Sequence, residues 1–115
     1  MSKDFKSLKE FYPYYLTEHL DQTNRVMHFI GTSLVIMLGV TALITQTWST
    51  FMFVPLAGYG FAWVGHFFFE RNKPATFKYP VWSLLSDFIM YFDTLNGSLE
   101  GKLDAAAKQF KKKRV

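Results

Sequence analysis

The chain has 115 residues, enough for one domain, of which 50% are apolar and 19% aromatic, with 13 Phe, 6 Tyr and 3 Trp; this is a heavy load for a water-soluble domain. There is no cysteine, which excludes disulfides and thiolate metal sites, so any metal must be held by nitrogen and oxygen ligands. The net charge of +4 does not mark a nucleic-acid binder: much of it sits in Lys111-Lys112-Lys113-Arg114, read as a solvated tail or a lipid-headgroup contact, and no Arg-aromatic pattern supports base readout.

Near the N-terminus Phe5, Leu8, Phe11, Tyr12 and Tyr15 recur at spacings of three and four, with Lys3, Lys6, Lys9 and Glu10 between them. The pattern predicts an interfacial amphipathic helix over about 4–16, broken near Pro13. From Val26 to Phe69 there is no Asp, Glu, Lys or Arg. Val26 to Thr45 provides about twenty residues, enough to cross roughly 30 Å of hydrocarbon, and predicts a first transmembrane helix over 24–45. Phe51 to Phe69, with Pro55 near its start where a missing amide proton costs least, predicts a second over 51–70. Gln46-Thr47-Trp48-Ser49-Thr50 is an uncharged turn between them, with Trp48 at an anchor position.

The first apolar stretch begins late and is too long for a signal-peptide core. Lys3, Lys6, Lys9 and Arg25 precede the hairpin and Arg71, Lys73 and Lys78 follow it, which by the positive-inside tendency puts both termini in the cytoplasm. The expected location is the inner (cytoplasmic) membrane, or the endoplasmic reticulum in a eukaryote. Val81 to Phe92 is apolar but short, with Asp87 near its middle. Crossing there would put the basic tail outside, so 81–95 reads as an interfacial or re-entrant helix, and 97–115 as a polar helix or tail that frays at its end. The fold class expected is an all-α integral membrane domain over 1–115, a two-helix transmembrane hairpin flanked by interfacial helices. Two spans alone bury little area, so a homo-oligomer is expected, with Gly31, Gly39, Gly58, Gly60 and Gly65 as close-approach points.

The three histidines fall in two polar clusters at the ends of the hairpin, Glu18 to His28 and His66 to Asn72. Asp21, Asn24, Arg25, His28 and Thr32 share one helical face by steps of three and four, as do Tyr59, Trp63, His66 and Glu70. An antiparallel hairpin brings His28 and His66 to similar depth, where ionisable groups face a protein interior and mark function. Three neutral imidazoles and a carboxylate suit Fe(II), Zn(II) or Mn(II). Two readings of Glu70 stand, a ligand on the His66 face or a partner that orients His66 through its ring proton. Two also stand for Arg25, which either pairs with Asp21 at the membrane edge or holds a substrate carboxylate. Asp87 needs a partner if buried, and a cap or structural ion pair is as good an expectation as a catalytic role. The Tyr59, Trp63 and Phe67-Phe68-Phe69 stripe reads as packing and lipid contact.

The segments Phe11-Tyr12-Pro13-Tyr14-Tyr15-Leu16-Thr17-Glu18-His19, Asn24-Arg25-x-x-His28-Phe29-Ile30-Gly31-Thr32 and Gly58 through Phe77, continued by Pro80-x-x-Ser83-Leu84-x-x-Asp87-Phe88, resemble the membrane-bound 2-hydroxy fatty acid dioxygenases. The resemblance covers roughly residues 11–92. It implies an enzyme that uses Fe(II) and dioxygen to shorten 2-hydroxy fatty acids by one carbon, an α-oxidation without 2-oxoglutarate. It also maps the family's histidines onto His19, His28 and His66. The chain is compact beside the longer eukaryotic relatives, which carry additional membrane segments. On this reading the metal set is His19, His28 and His66, with Glu70 as a fourth candidate; Asn24, Arg25, Glu70 and Asp87 are the candidate catalytic residues. Arg25 or Lys73 would pair with the substrate carboxylate, with the acyl tail along the aromatic helix faces. The competing readings are a non-enzymatic lipid-binding or assembly protein of the membrane and a hydrolytic metal site on the same scaffold.

Overall fold

The computed structural model describes residues 5–114, which are helical apart from short links and contain no strand. Asp4, the first residue of the first predicted helix, and Lys3 before it lie outside the described residues. Helix α1 spans Leu8–Thr17, and Ser7 Oγ caps it by accepting from the Glu10 amide at 3.2 Å, the usual remedy for the unpaired amides of a first turn. The helix runs through Pro13 rather than breaking there. The residues on either side explain why: Phe11, Tyr15 and Leu16 are each at most 1% exposed, and this burial holds the two turns together against the one backbone bond that proline removes.

Helix α2 (Gln22–Thr45) is capped by Asp21, whose carboxylate accepts from the Asn24 amide at 3.1 Å, and ends at Gln46 in the left-handed region. The predicted turn is partly helical, with a 3-10 segment at Trp48–Met52 leading into α3 (Phe53–Val64). A π-helical turn, Gly65–Glu70, closes this second stretch, and Arg71 at φ 62° ends it. The antiparallel pair is brought close by glycines. A Cβ on Gly31 would lie 3.0 Å from Phe61 Cβ, and one on Gly58 would lie 3.1 Å from Val35 Cγ2, the close approach that apolar helices use when packing in place of a hydrophobic gain.

Both stretches, Gln22–Thr45 and Trp48–Glu70, are long and apolar enough to cross a membrane, and only 22% and 17% of their most apolar windows are buried. A soluble core helix would be mostly covered; here Met37, Ile44, Met52 and Leu56 are all more than 60% exposed.

Helices α4 (Pro80–Asn96) and α5 (Leu99–Gln109) meet at Gly97, whose φ of 81° suits glycine. They pack with α1 into a small core of Phe11, Tyr15, Leu16, Met90, Leu99 and Leu103 at one end of the hairpin. The apolar face of α1 predicted to lie in the interface therefore lies in this core, because α5 is not a plain polar tail: Leu99, Leu103 and Ala106 give it an apolar stripe. Helix α4 is built the other way round, with Ser83, Ser86 and Asp93 turned inward and Val81, Leu84, Leu85, Phe92 and Leu95 exposed.

Candidate metal centre

His19 lies in the short link between α1 and α2, His28 in the second turn of α2 and His66 in the π-helical turn. All three are buried, at 5% exposure or less. His19 Nε2 is 3.1 Å from His28 Nε2 and 3.0 Å from His66 Nε2, and the three ligand atoms lie within 4.8 Å of one another. The structure thus brings His19 to the same point as the two hairpin histidines.

The protons of these rings follow from their outer partners. His19 Nδ1 donates to the Tyr15 carbonyl at 2.6 Å and His28 Nδ1 to the Asn24 carbonyl at 2.9 Å; a carbonyl can only accept, so each ring carries its proton there. His66 Nδ1 donates to Asn72 Oδ1 at 2.6 Å, and the Asn72 amide is oriented by donating from Nδ2 to the Glu18 carbonyl at 3.1 Å. Burial, reinforced by the His28 and His66 rings, pushes His19 well below the usual imidazole range, so it is neutral. Three neutral rings with Nδ1 protonated aim three unprotonated Nε2 lone pairs at one point. Such a cluster repels itself unless a cation sits among the lone pairs, and outer-partner bonds of this kind are what orient histidine ligands. Three buried neutral imidazoles whose ligand nitrogens lie within 4.8 Å of one another are a donor set that suits a divalent metal ion, so the residues present fit a metal held on three imidazoles.

Glu70 does not join them. Its carboxylate accepts from the Asp21 amide at 3.0 and 3.2 Å and from Asn24 Nδ2 at 3.0 Å. Neither reading of Glu70 survives in this geometry, because the wider π-helical turn rotates it away from the His66 face and toward the positive N-terminus of α2. Asn72 takes the orienting role instead. Gly65 permits the approach: a Cβ there would collide with the Asn24 side chain. Arg25 Nη1 donates to the carbonyls of His19 and Leu20 at 3.0 and 2.7 Å, while Nη2 lies 3.8 Å from Glu100, so the guanidinium is engaged with the link that carries His19. Lys73 is exposed. Arg25, Glu70 and Asn72 thus tie the carbonyls of Glu18, His19 and Leu20 and the Asp21 amide, while Asn24 holds Glu70.

Among the described residues Asp87 has neither an ion pair nor a cap; it accepts a hydrogen bond from the Tyr15 hydroxyl. Burial pushes its carboxyl up to about 7, with the Tyr15 bond opposing. Beside the histidines a cavity of about 20 Å³ is lined by Tyr15, His19, His28, His66, Ser83 and Asp87, room for about one water-sized molecule. Ser83 Oγ is buried with no hydrogen-bond partner among the described residues. Sequence reasoning missed Tyr15, Asn72 and Ser83 as site residues. The signals were present but faint: Tyr15 is one helical turn before His19, and Asn72 is the last residue of the His66 cluster.

No curated protein and no solved structure matches the chain. The sequence model of one family does, over residues 5–99, a span that includes all three histidines, Asn72, Ser83 and Asp87. The chain therefore belongs to the family described as 2-hydroxy-palmitic acid dioxygenase Mpo1-like.

Proposed function

We propose that the protein is a membrane-bound, iron(II)-dependent dioxygenase that shortens 2-hydroxy fatty acids by one carbon. The observation that carries the reading is the buried cluster of three histidines, each with Nδ1 bonded to an outer oxygen and Nε2 turned toward the other two. The stoichiometry needs no further reductant: oxidising C2 to a carboxyl and releasing C1 as carbon dioxide removes four electrons, the number that reduces one dioxygen. The products are the shortened acid, carbon dioxide and water.

His19, His28 and His66 would hold the metal, and ferrous iron when bound supplies the redox chemistry that lets dioxygen react with an organic acid. The remaining roles belong to the chain. The Tyr15 and Asn24 carbonyls and Asn72 Oδ1 keep each Nε2 unprotonated and aimed inward. Asp87, held by Tyr15, stands at the cavity as the acceptor for the substrate 2-hydroxyl. Ser83 Oγ offers that polar head a second partner. Asn24, Arg25 and Glu70 act through the 18–21 link, as positioning residues for His19 rather than as groups that touch substrate.

The exposed apolar faces of the hairpin support insertion in a membrane, and the outward apolar face of α4 supports its lying in the interface beside the site. Both chain ends would then share the cytoplasmic side, with the histidines near that surface. Gly31, Gly58 and Gly65 are used within the chain, whereas a Cβ on Gly39 or Gly60 would meet nothing within 4 Å, which leaves those faces for a second copy in a homo-oligomer.

The test is oxygen consumption by anaerobically purified, iron-loaded protein given 2-hydroxypalmitate, with the product identified by mass. The expected result is uptake of one dioxygen for each acid one carbon shorter. A product formed without oxygen uptake would mean hydrolytic chemistry, and neither uptake nor product would leave a lipid-binding protein.

A further inference from the structure

Helices α3 and α4 both pack on α2 and leave a gap between them. A cavity of about 220 Å³ fills this gap, floored by α2. One end is polar and enclosed: His28 and Thr32 are at most 8% exposed there, beside Asp87. The rest is apolar, walled by Val35 on α2, Val54 and Gly58 on α3, and Leu84 and Phe88 on α4. Pro55 and Leu84 at its lips are exposed on the apolar outer surface, so the groove opens sideways, where lipid would lie.

We infer that this groove is the acyl-chain subsite, taking the carboxyl-proximal part of a single-chain 2-hydroxy acid that enters laterally from the leaflet. The inference rests on the dioxygenase reading and gives it a binding surface that shares Tyr59 with the aromatic stripe but not Phe67 to Phe69. The shape selects this occupant. The buried polar end shares His28 and Asp87 with the small cavity at the histidines, and a space of about 20 Å³ beyond it leaves no room for a phospholipid headgroup. From His28 to Val35 is seven residues of helix, or about 10 Å, the reach of about eight chain carbons. The remaining carbons lie in the bilayer. Gly58 sets the bore, since a Cβ there would already stand 3.1 Å from Val35 Cγ2; Leu84 sets the mouth.

The experiment uses the full chain in phosphatidylcholine nanodiscs with 2-hydroxypalmitate analogues bearing a photoreactive diazirine at one chosen carbon. With the diazirine within the first eight or so carbons, labelling is expected on peptides holding Val35, Val54 or Leu84, and excess 2-hydroxypalmitate but not palmitate suppresses it. With the diazirine near the methyl end the label moves to lipid. Leu84→Trp, at an exposed lip, is expected to cut groove labelling and turnover of 2-hydroxypalmitate about tenfold while sparing a short 2-hydroxy acid. Labelling concentrated on Phe67 to Phe69, outside the groove, or suppressed equally by palmitate or phospholipid, would overturn the inference. Groove labelling without oxygen uptake would support the subsite and count against the dioxygenase reading, so the two fail separately.

Discussion

At the residue scale, the centre depends on side chains that never reach its middle. Asn72 fixes the His66 ring and simultaneously ties the Glu18 carbonyl. Asn72→Ala should therefore weaken metal binding about 10- to 100-fold, measured by competition with a chelator. Asn72→Asp, which keeps an acceptor for the ring proton, should recover part of that loss, and equal weakening in both variants would remove the orienting role. Gly65 is the second such residue. Any side chain there overlaps Asn24, so Gly65→Ala should lower stability by about 1–3 kcal/mol and be followed as a drop in melting temperature. No drop would mean that Asn24 moves freely, contrary to its bond with Glu70.

Among the elements, α1, α4 and α5 are joined by Asp93, which accepts from the Tyr12 hydroxyl at 2.8 Å, from Lys102 Nζ at 3.0 Å through both oxygens and from Ser98 Oγ at 3.1 Å. Burial would raise this carboxyl, but those donors outweigh it and hold it below its ordinary 3.8. A carboxyl depressed in the folded state stabilises fully above its unfolded value, and that contribution is lost as pH falls through the folded one. Asp93→Asn should cost about 2 kcal/mol near neutrality and should show less loss of melting temperature than the parent below about pH 4. Parallel curves for the two proteins would contradict this linkage. The same elements mark what sequence alone conveys. The α2 and α3 stretches were legible because lipid-crossing length and absence of charge are local properties. The unbroken α1 and the buried stripe of α5 were not, because each is held by the other's side chains. The π-helical turn was invisible too, since Gly65-His66-Phe67-Phe68-Phe69 reads as ordinary α-helix and only the approach of Asn24 distinguishes it.

For the whole molecule, the proposed hairpin topology has a direct consequence. With no native cysteine, single cysteines at Ser49 and at Lys111 in intact cells should label from opposite sides of the membrane with an impermeant maleimide. Labelling of both from one side would rule out the two-span arrangement. His28 and His66 were legible as a facing pair because helical spacing and an antiparallel turn fix their depth; that His19 reaches the same point depends on the 18–21 link, whose path is set by Arg25, Glu70 and Asn72 from elsewhere in the chain. The account rests on those three rings acting as one binding set. Its most direct test is the iron content of anaerobically purified protein beside His19→Ala, His28→Ala and His66→Ala. About one ion per chain is predicted in the parent, with each substitution losing most of it; full retention of iron in all three variants would contradict the account.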